Sequence, residues 1–128
     1  MGVERAIKTV KSVFDNHIDS AFSCDLTGTI FDHHEDCVLS MYNLSTGVKD
    51  VHEGKGKLMD VFGGLLEFFR DGGDENNPKP VMIDISEEDR VWFATWRNPT
   101  PGMLFFTSFV SLDKDFKIVR HSIVMKTD

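Results

Sequence analysis

No apolar run in this 128-residue chain approaches the roughly 20 residues needed to cross a bilayer, so no segment reads as a membrane span. Cysteine is scarce: Cys24 and Cys37 are the only two, too few for a disulfide framework, and both read as reduced, structural residues. No CxxC or HxxxH spacing offers a preformed metal site, and no GxSxG elbow offers a nucleophile. "GKGK" at Gly54–Lys57 lacks the spacing of a phosphate loop and reads as a helix entry. The net charge is −7, and no Lys/Arg cluster is interleaved with aromatics, so nucleic acid is excluded as a partner class. Met1-Gly2-Val3-Glu4-Arg5 runs straight into an amphipathic segment without a signal-peptide core, giving the expectation of a soluble, cytoplasmic protein. Tyr and Trp are few, one and two copies, against 11 Phe. That balance describes an apolar interior with few polar handles.

What is present fits one domain spanning residues 1–128. Val3, Ile7, Val10, Phe14, Ile18 and Ala21/Phe22 recur at helical spacing and predict a long helix over 3–22. Asp25 supplies an N-cap for a short second helix through Ile30 and Phe31, ending near His34. Cys37–Tyr42 and Val48–Glu53 form a hairpin around the turn Asn43–Gly47. A third helix is predicted from Lys55 to Arg70 on the stripe Leu58, Val61, Phe62, Leu65, Leu66 and Phe69. After a loop at Asp71–Pro80, four strands follow: Val81–Ile85, Val91–Arg97, Met103–Ser111 and Phe116–Met125, the middle turn lying at Asn98–Gly102. The fold class is α+β, with helices packed on one curved sheet and room for a closed-ended cavity.

The densest collection of chemically active residues is "FDHHEDC" at 31–37. His33 and His34 are adjacent and, on a helix, point about 100° apart, so both cannot face one ion. The expectation is a solvated helix end, with no metal and no cofactor. His17 falls in the series 3, 7, 10, 14, 17, 21 on the inner face of the first helix. Alone, that pattern describes a core histidine with one hydrogen bond. Alternation on the last strand groups Val119, His121, Ile123 and Met125; on the preceding strand it groups Leu104, Phe106, Ser108 and Val110.

Three segments carry a resemblance: "AFSCDLTGTIFDHHEDCVLSMY", "HEGKGKLMDVFGGLLEFF" and "DKDFKIVRHSIVM". In this order and spacing the chain resembles the nuclear-transport-factor-2-like superfamily, and within it the SnoaL-like and ketosteroid-isomerase-like pocket proteins. The resemblance implies a curved, mixed, mostly antiparallel six-stranded sheet wrapped around the long N-terminal helix, with two further helices, forming a cone with a cavity. Counting back from Asp25, His17 takes the position of a pocket-facing Tyr that helps stabilise an oxyanion in isomerase-like members. Ser108 takes that of the second, acidic oxyanion donor. The general-base Asp matches Met41 here, which cannot accept a proton, so ketosteroid isomerisation by the usual residues is disfavoured.

His17, His121 and Ser108 are therefore the expected polar groups, acid/base candidates in a cavity lined by Phe14, Met41, Phe62, Trp96 and Phe106. Tyr42 and Trp92 are held in reserve, since a one-residue register error reverses their faces. The expected partners are a small apolar, oxygen-bearing ligand and a second copy of the chain, paired through the sheet face. The alternatives are an isomerase, cyclase or dehydratase using His17 or His121, and a dimeric adaptor without turnover.

Overall fold

Thr9 starts the first helix. In the computed structural model, which describes residues 8–72, 79–97 and 105–126 and only the backbone of 68–72, helix α1 spans Val10–Phe22. Lys8 and Thr9 are not helical, so the helix predicted from residue 3 does not run through them; positions 3–7 lie outside the described residues. The start is set by capping. The first four N–H groups of a helix lack an internal partner, and here all four find one. Thr9 N donates to Ser12 Oγ and Ser12 N to Thr9 Oγ1, a reciprocal box. Val10 N and Lys11 N donate to the two carboxylate oxygens of Glu87, at 2.7 and 3.0 Å.

Helix α2 is a single turn, Leu26–Ile30, capped by the Asp25 side chain, which accepts from Gly28 N at 3.0 Å. It ends before the expected His34. The chain turns at Phe31 and Asp32 and enters strand β1, His33–Asn43, four residues earlier than predicted. Strand β2, Lys49–Glu53, returns to Gly54, whose φ of 91° lies where only glycine is unstrained, and helix α3 follows over Lys55–Gly72. Strands β3 (Lys79–Ser86), β4 (Val91–Arg97), β5 (Phe105–Leu112) and β6 (Ile118–Lys126) complete the chain. Asp71, Gly72, Lys79 and Pro80 thus belong to elements rather than to the predicted loop. The turn at Asn98–Gly102, Met103, Leu104 and the Phe69 side chain fall outside the described residues.

The six strands form one sheet in the order β2-β1-β6-β5-β4-β3. β1 and β6 pair in parallel and every other pair is antiparallel, the mixed, mostly antiparallel sheet expected. Two apolar clusters fill its concave side. Val10, Val13 and Phe14 of α1 pack on Trp92, Ala94 and Trp96 of β4 with Val110, Leu112 and Ile118. Leu58 and Phe62 of α3 pack on Ile30, Cys37, Leu39 and Ile123. Phe106 touches both clusters. Both clusters are built from long apolar side chains; truncating one such aromatic to Ala typically costs about 3–5 kcal/mol.

Candidate functional site

Between these clusters the interior turns polar. The middle of α1, the first residue of β1 and the middle of β6 bring His17, His33 and His121 together beneath α3. The ring of His17 lies 5.7 Å from that of His33 and 5.4 Å from that of His121, centroid to centroid. Phe62 caps all three from α3, with centroids 6.0, 5.5 and 5.4 Å from His17, His33 and His121. Trp92 closes the group on the sheet side, 5.9 Å from His17.

Each ring has a defined role. His17 Nδ1 donates to the Thr29 carbonyl oxygen at 3.0 Å, so the single turn of α2 fixes its orientation. His33 Nε2 and His121 Nδ1 are 3.2 Å apart in rings only 7° from parallel. His33 Nδ1 is buried and has no hydrogen-bond partner among the described residues; the nearby Ile30 carbonyl favours a proton on this ring without reaching hydrogen-bond geometry.

Burial keeps the cluster neutral. Desolvation lowers the pKa of His17, against the opposing pull of the Thr29 bond and of Asp32. His33 is lowered to about 3, first by desolvation and then by repulsion from His17. His121 falls well below the usual histidine range, through burial and then through His17 and His33. Asp32, itself buried, is occupied elsewhere: it accepts from Lys8 Nζ and Asn16 Nδ2, both at 3.2 Å.

Above His17 and His121 opens a cavity, partly open to solvent, with a mostly apolar lining. Its polar lining comes from His17, His121, Ser108 and Thr29, and its walls from Phe22, Phe62, Leu66, Trp96, Phe106 and Met125 among others. Among the described residues no carboxylate, ammonium or guanidinium group lines it. Trp96 and Phe106 lie stacked, their planes 25° apart, and Phe22 meets Trp96 edge-on. The Ser108 hydroxyl, the His17 Nε2 and the His121 Nε2 have no hydrogen-bond partner among the described residues, although all three residues are buried. Unpartnered polar atoms beside an apolar cavity are where a ligand is recognised.

The expected residues are thus distributed unevenly. His17, Ser108, His121, Phe62, Trp96 and Phe106 line one cavity. Phe14 is one layer deeper, packed on Trp92 and Trp96, outside the lining. Met41 is half-buried against the second cluster, also outside the lining. Tyr42 is 38% exposed on the convex face, because alternation along β1 turns it away from Leu39 and Met41. Trp92 is core. On β6 the inner face holds Ile118 in place of Val119, owing to a register shift between Ser111 and Leu112 in the β5–β6 pairing.

His33 is the residue that sequence reasoning misplaced. It is no solvated helix end: it is 1% exposed and paired with His121. His34 does point outward, its Nδ1 accepting from Asp36 N at 3.0 Å. The available signal was the period of two running back from Leu39 and Cys37 to His33, masked by exposed Glu35 at a bulge between His33 and Val38. Among the described residues no group of three or more His, Cys, Asp or Glu is arranged to hold a metal ion.

The six-stranded, mostly antiparallel sheet with three helices is the nuclear-transport-factor-2-like and SnoaL-like fold, and solved structures share it. A nuclear-transport-factor-2-like protein of unknown function from Mesorhizobium loti superposes with a TM-score of 0.70 at 11% identity, covering 98% of this chain and 99% of that one. A SnoaL-like protein of unknown function from Burkholderia thailandensis gives 0.68 at 13% identity, over 94% and 98%. The epoxide hydrolase/cyclase-like enzyme SalBIII, which acts in pyran ring formation in the polyether salinomycin, gives 0.67 at 10% identity, over 91% and 89%. No protein-family model matches the chain, and no curated protein matches its sequence. At such identities the likeness is one of fold, which hosts enzymes and proteins without known turnover alike.

Proposed function

We propose that this chain is a small-molecule pocket protein that holds a small, uncharged, apolar molecule bearing oxygen. One observation carries the reading: among the described residues, Ser108, His17 and His121 offer unpartnered polar atoms at the floor of a cavity whose lining contains no charged group. Phosphorylated or carboxylated ligands find no counter-charge there, and desolvating them would cost several kcal/mol. Aromatic walls at Phe22, Trp96 and Phe106 suit a ring or a branched hydrocarbon. A thermal-shift screen of uncharged carbonyl, hydroxyl and steroid-like molecules, followed by native mass spectrometry, tests this. The account expects stabilisation by neutral ligands and none by their carboxylate counterparts. A screen in which only anions stabilise the protein overturns it.

The two histidines in the lining favour a second reading, an isomerase, cyclase or dehydratase in which His17 or His121 moves a proton. Histidine is suited to that work near neutral pH, and an uncommitted Nε2 is the atom that would do it. Turnover of a screened ligand by the parent and not by a His17→Phe variant would establish it. A homodimer formed through the convex face is part of the same proposal. Supporting it, Phe109 and Met82 are 44% and 48% exposed on that face beside half-buried Phe93, an apolar patch that water leaves uncovered.

A further inference from the structure

The floor of the cavity has a polarity, which follows from where its protons sit and rests on the pocket reading above. A carbonyl oxygen only accepts hydrogen bonds, so the contact between His17 Nδ1 and the Thr29 oxygen puts the proton of neutral His17 on Nδ1. Its Nε2 is then a lone pair. The stacked pair shares one proton between His33 Nε2 and His121 Nδ1 that either ring can supply, so the polarity of the floor is set by His17.

We propose that the cavity selects hydrogen-bond donors: uncharged alcohols, phenols, enols or N–H compounds whose proton is received by Nε2 of His17. Ser108, whose hydroxyl has no partner among the described residues, donates to the same ligand oxygen. A phenol makes both bonds. A ketone or an ether of the same shape can accept from Ser108, but it leaves the His17 lone pair buried without a proton, a loss equivalent to about tenfold in affinity. The donor preference inverts what a site built to cradle a carbonyl oxygen requires, where the protein must donate.

The test uses three probes of similar size, 4-propylphenol, its methyl ether 4-propylanisole and 4-methylacetophenone, titrated into the full chain by calorimetry near neutral pH. Long-range proton–nitrogen correlation spectra of the free protein read the tautomers directly. The expected result is a phenol dissociation constant at least about tenfold below those of the ether and ketone, with His17 protonated on Nδ1. Equal or tighter binding of the ether or ketone, or a proton on His17 Nε2, overturns donor selection while leaving the pocket reading intact. Absence of saturable binding by all three sinks the pocket reading, and this inference with it.

Discussion

His33 and His121 lie 88 positions apart in the chain and share a buried hydrogen bond, Nε2 to Nδ1 at 3.2 Å, in rings 7° from parallel. The bond ties the start of β1 to the middle of β6, next to the bulge that separates His33 from the regular parallel pairing at Val38. It holds only while at least one ring is neutral, because two imidazolium rings have no lone pair to share.

Stability should therefore fall on mild acidification. Burial holds the pKa of His17, His33 and His121 below the ordinary value of 6.5, His33 at about 3. Below about pH 6.5 the unfolded chain binds protons that the folded chain refuses, so the stabilising contribution is complete above that pH and is lost as pH drops toward the folded values. Each ring contributes at most about 1.4 kcal/mol per pH unit. Urea midpoints at about pH 7.5 and pH 5 measure this; identical midpoints would show that the rings are not buried as neutral groups.

Glu87→Gln should destabilise the protein by about 1–2 kcal/mol. The carboxylate accepts from Val10 N and Lys11 N and carries the negative charge that a helix N-terminus favours. Thr9→Ala should cost about 1 kcal/mol through a different N–H group, that of Ser12. Chemical denaturation of both variants is the check, and a Glu87 substitution without effect would mean that this distant cap does not hold the helix.

Ser108→Ala should leave stability within about 0.5 kcal/mol of the parent, since no group among the described residues loses a hydrogen bond. Affinity for a hydroxyl-bearing ligand should fall in the same variant. A large loss of stability in a thermal melt would assign the hydroxyl a structural partner instead.

Phe109→Glu should convert the proposed dimer to a monomer without unfolding it, because Phe109 is 44% exposed on the convex face. Sedimentation velocity on parent and variant reads this directly; a parent that is already monomeric at micromolar concentration contradicts the pairing.

Much of the fold was legible because its elements bury one face each. The stripe Val10, Phe14 and His17 and the alternation Phe106, Ser108, Val110 both survive in the structure, and so does the inward turn of His121. The boundary between α2 and β1 was not legible. "GTIFDHH" continues a helical pattern as plausibly as it ends one, and what stops the helix is tertiary: Ile118 N donates to the Asp32 oxygen at 2.7 Å, drawing the chain into the sheet. With the chain in the sheet, His33 is buried against His121 instead of forming a solvated end. Likewise, Glu87 caps α1 at Val10 from 77 positions away, which no local window contains.

The most direct test of the central claim, that His17 is a recognition group at the floor of a ligand cavity, is a calorimetric titration of 4-propylphenol into parent and His17→Phe. Phe keeps the ring volume but leaves the Thr29 carbonyl unpaired, a cost of about 1–3 kcal/mol that circular dichroism and a thermal melt will register without loss of the fold. With the fold retained, the account predicts that the dissociation constant rises about tenfold or more. An unchanged dissociation constant in the folded variant would contradict it.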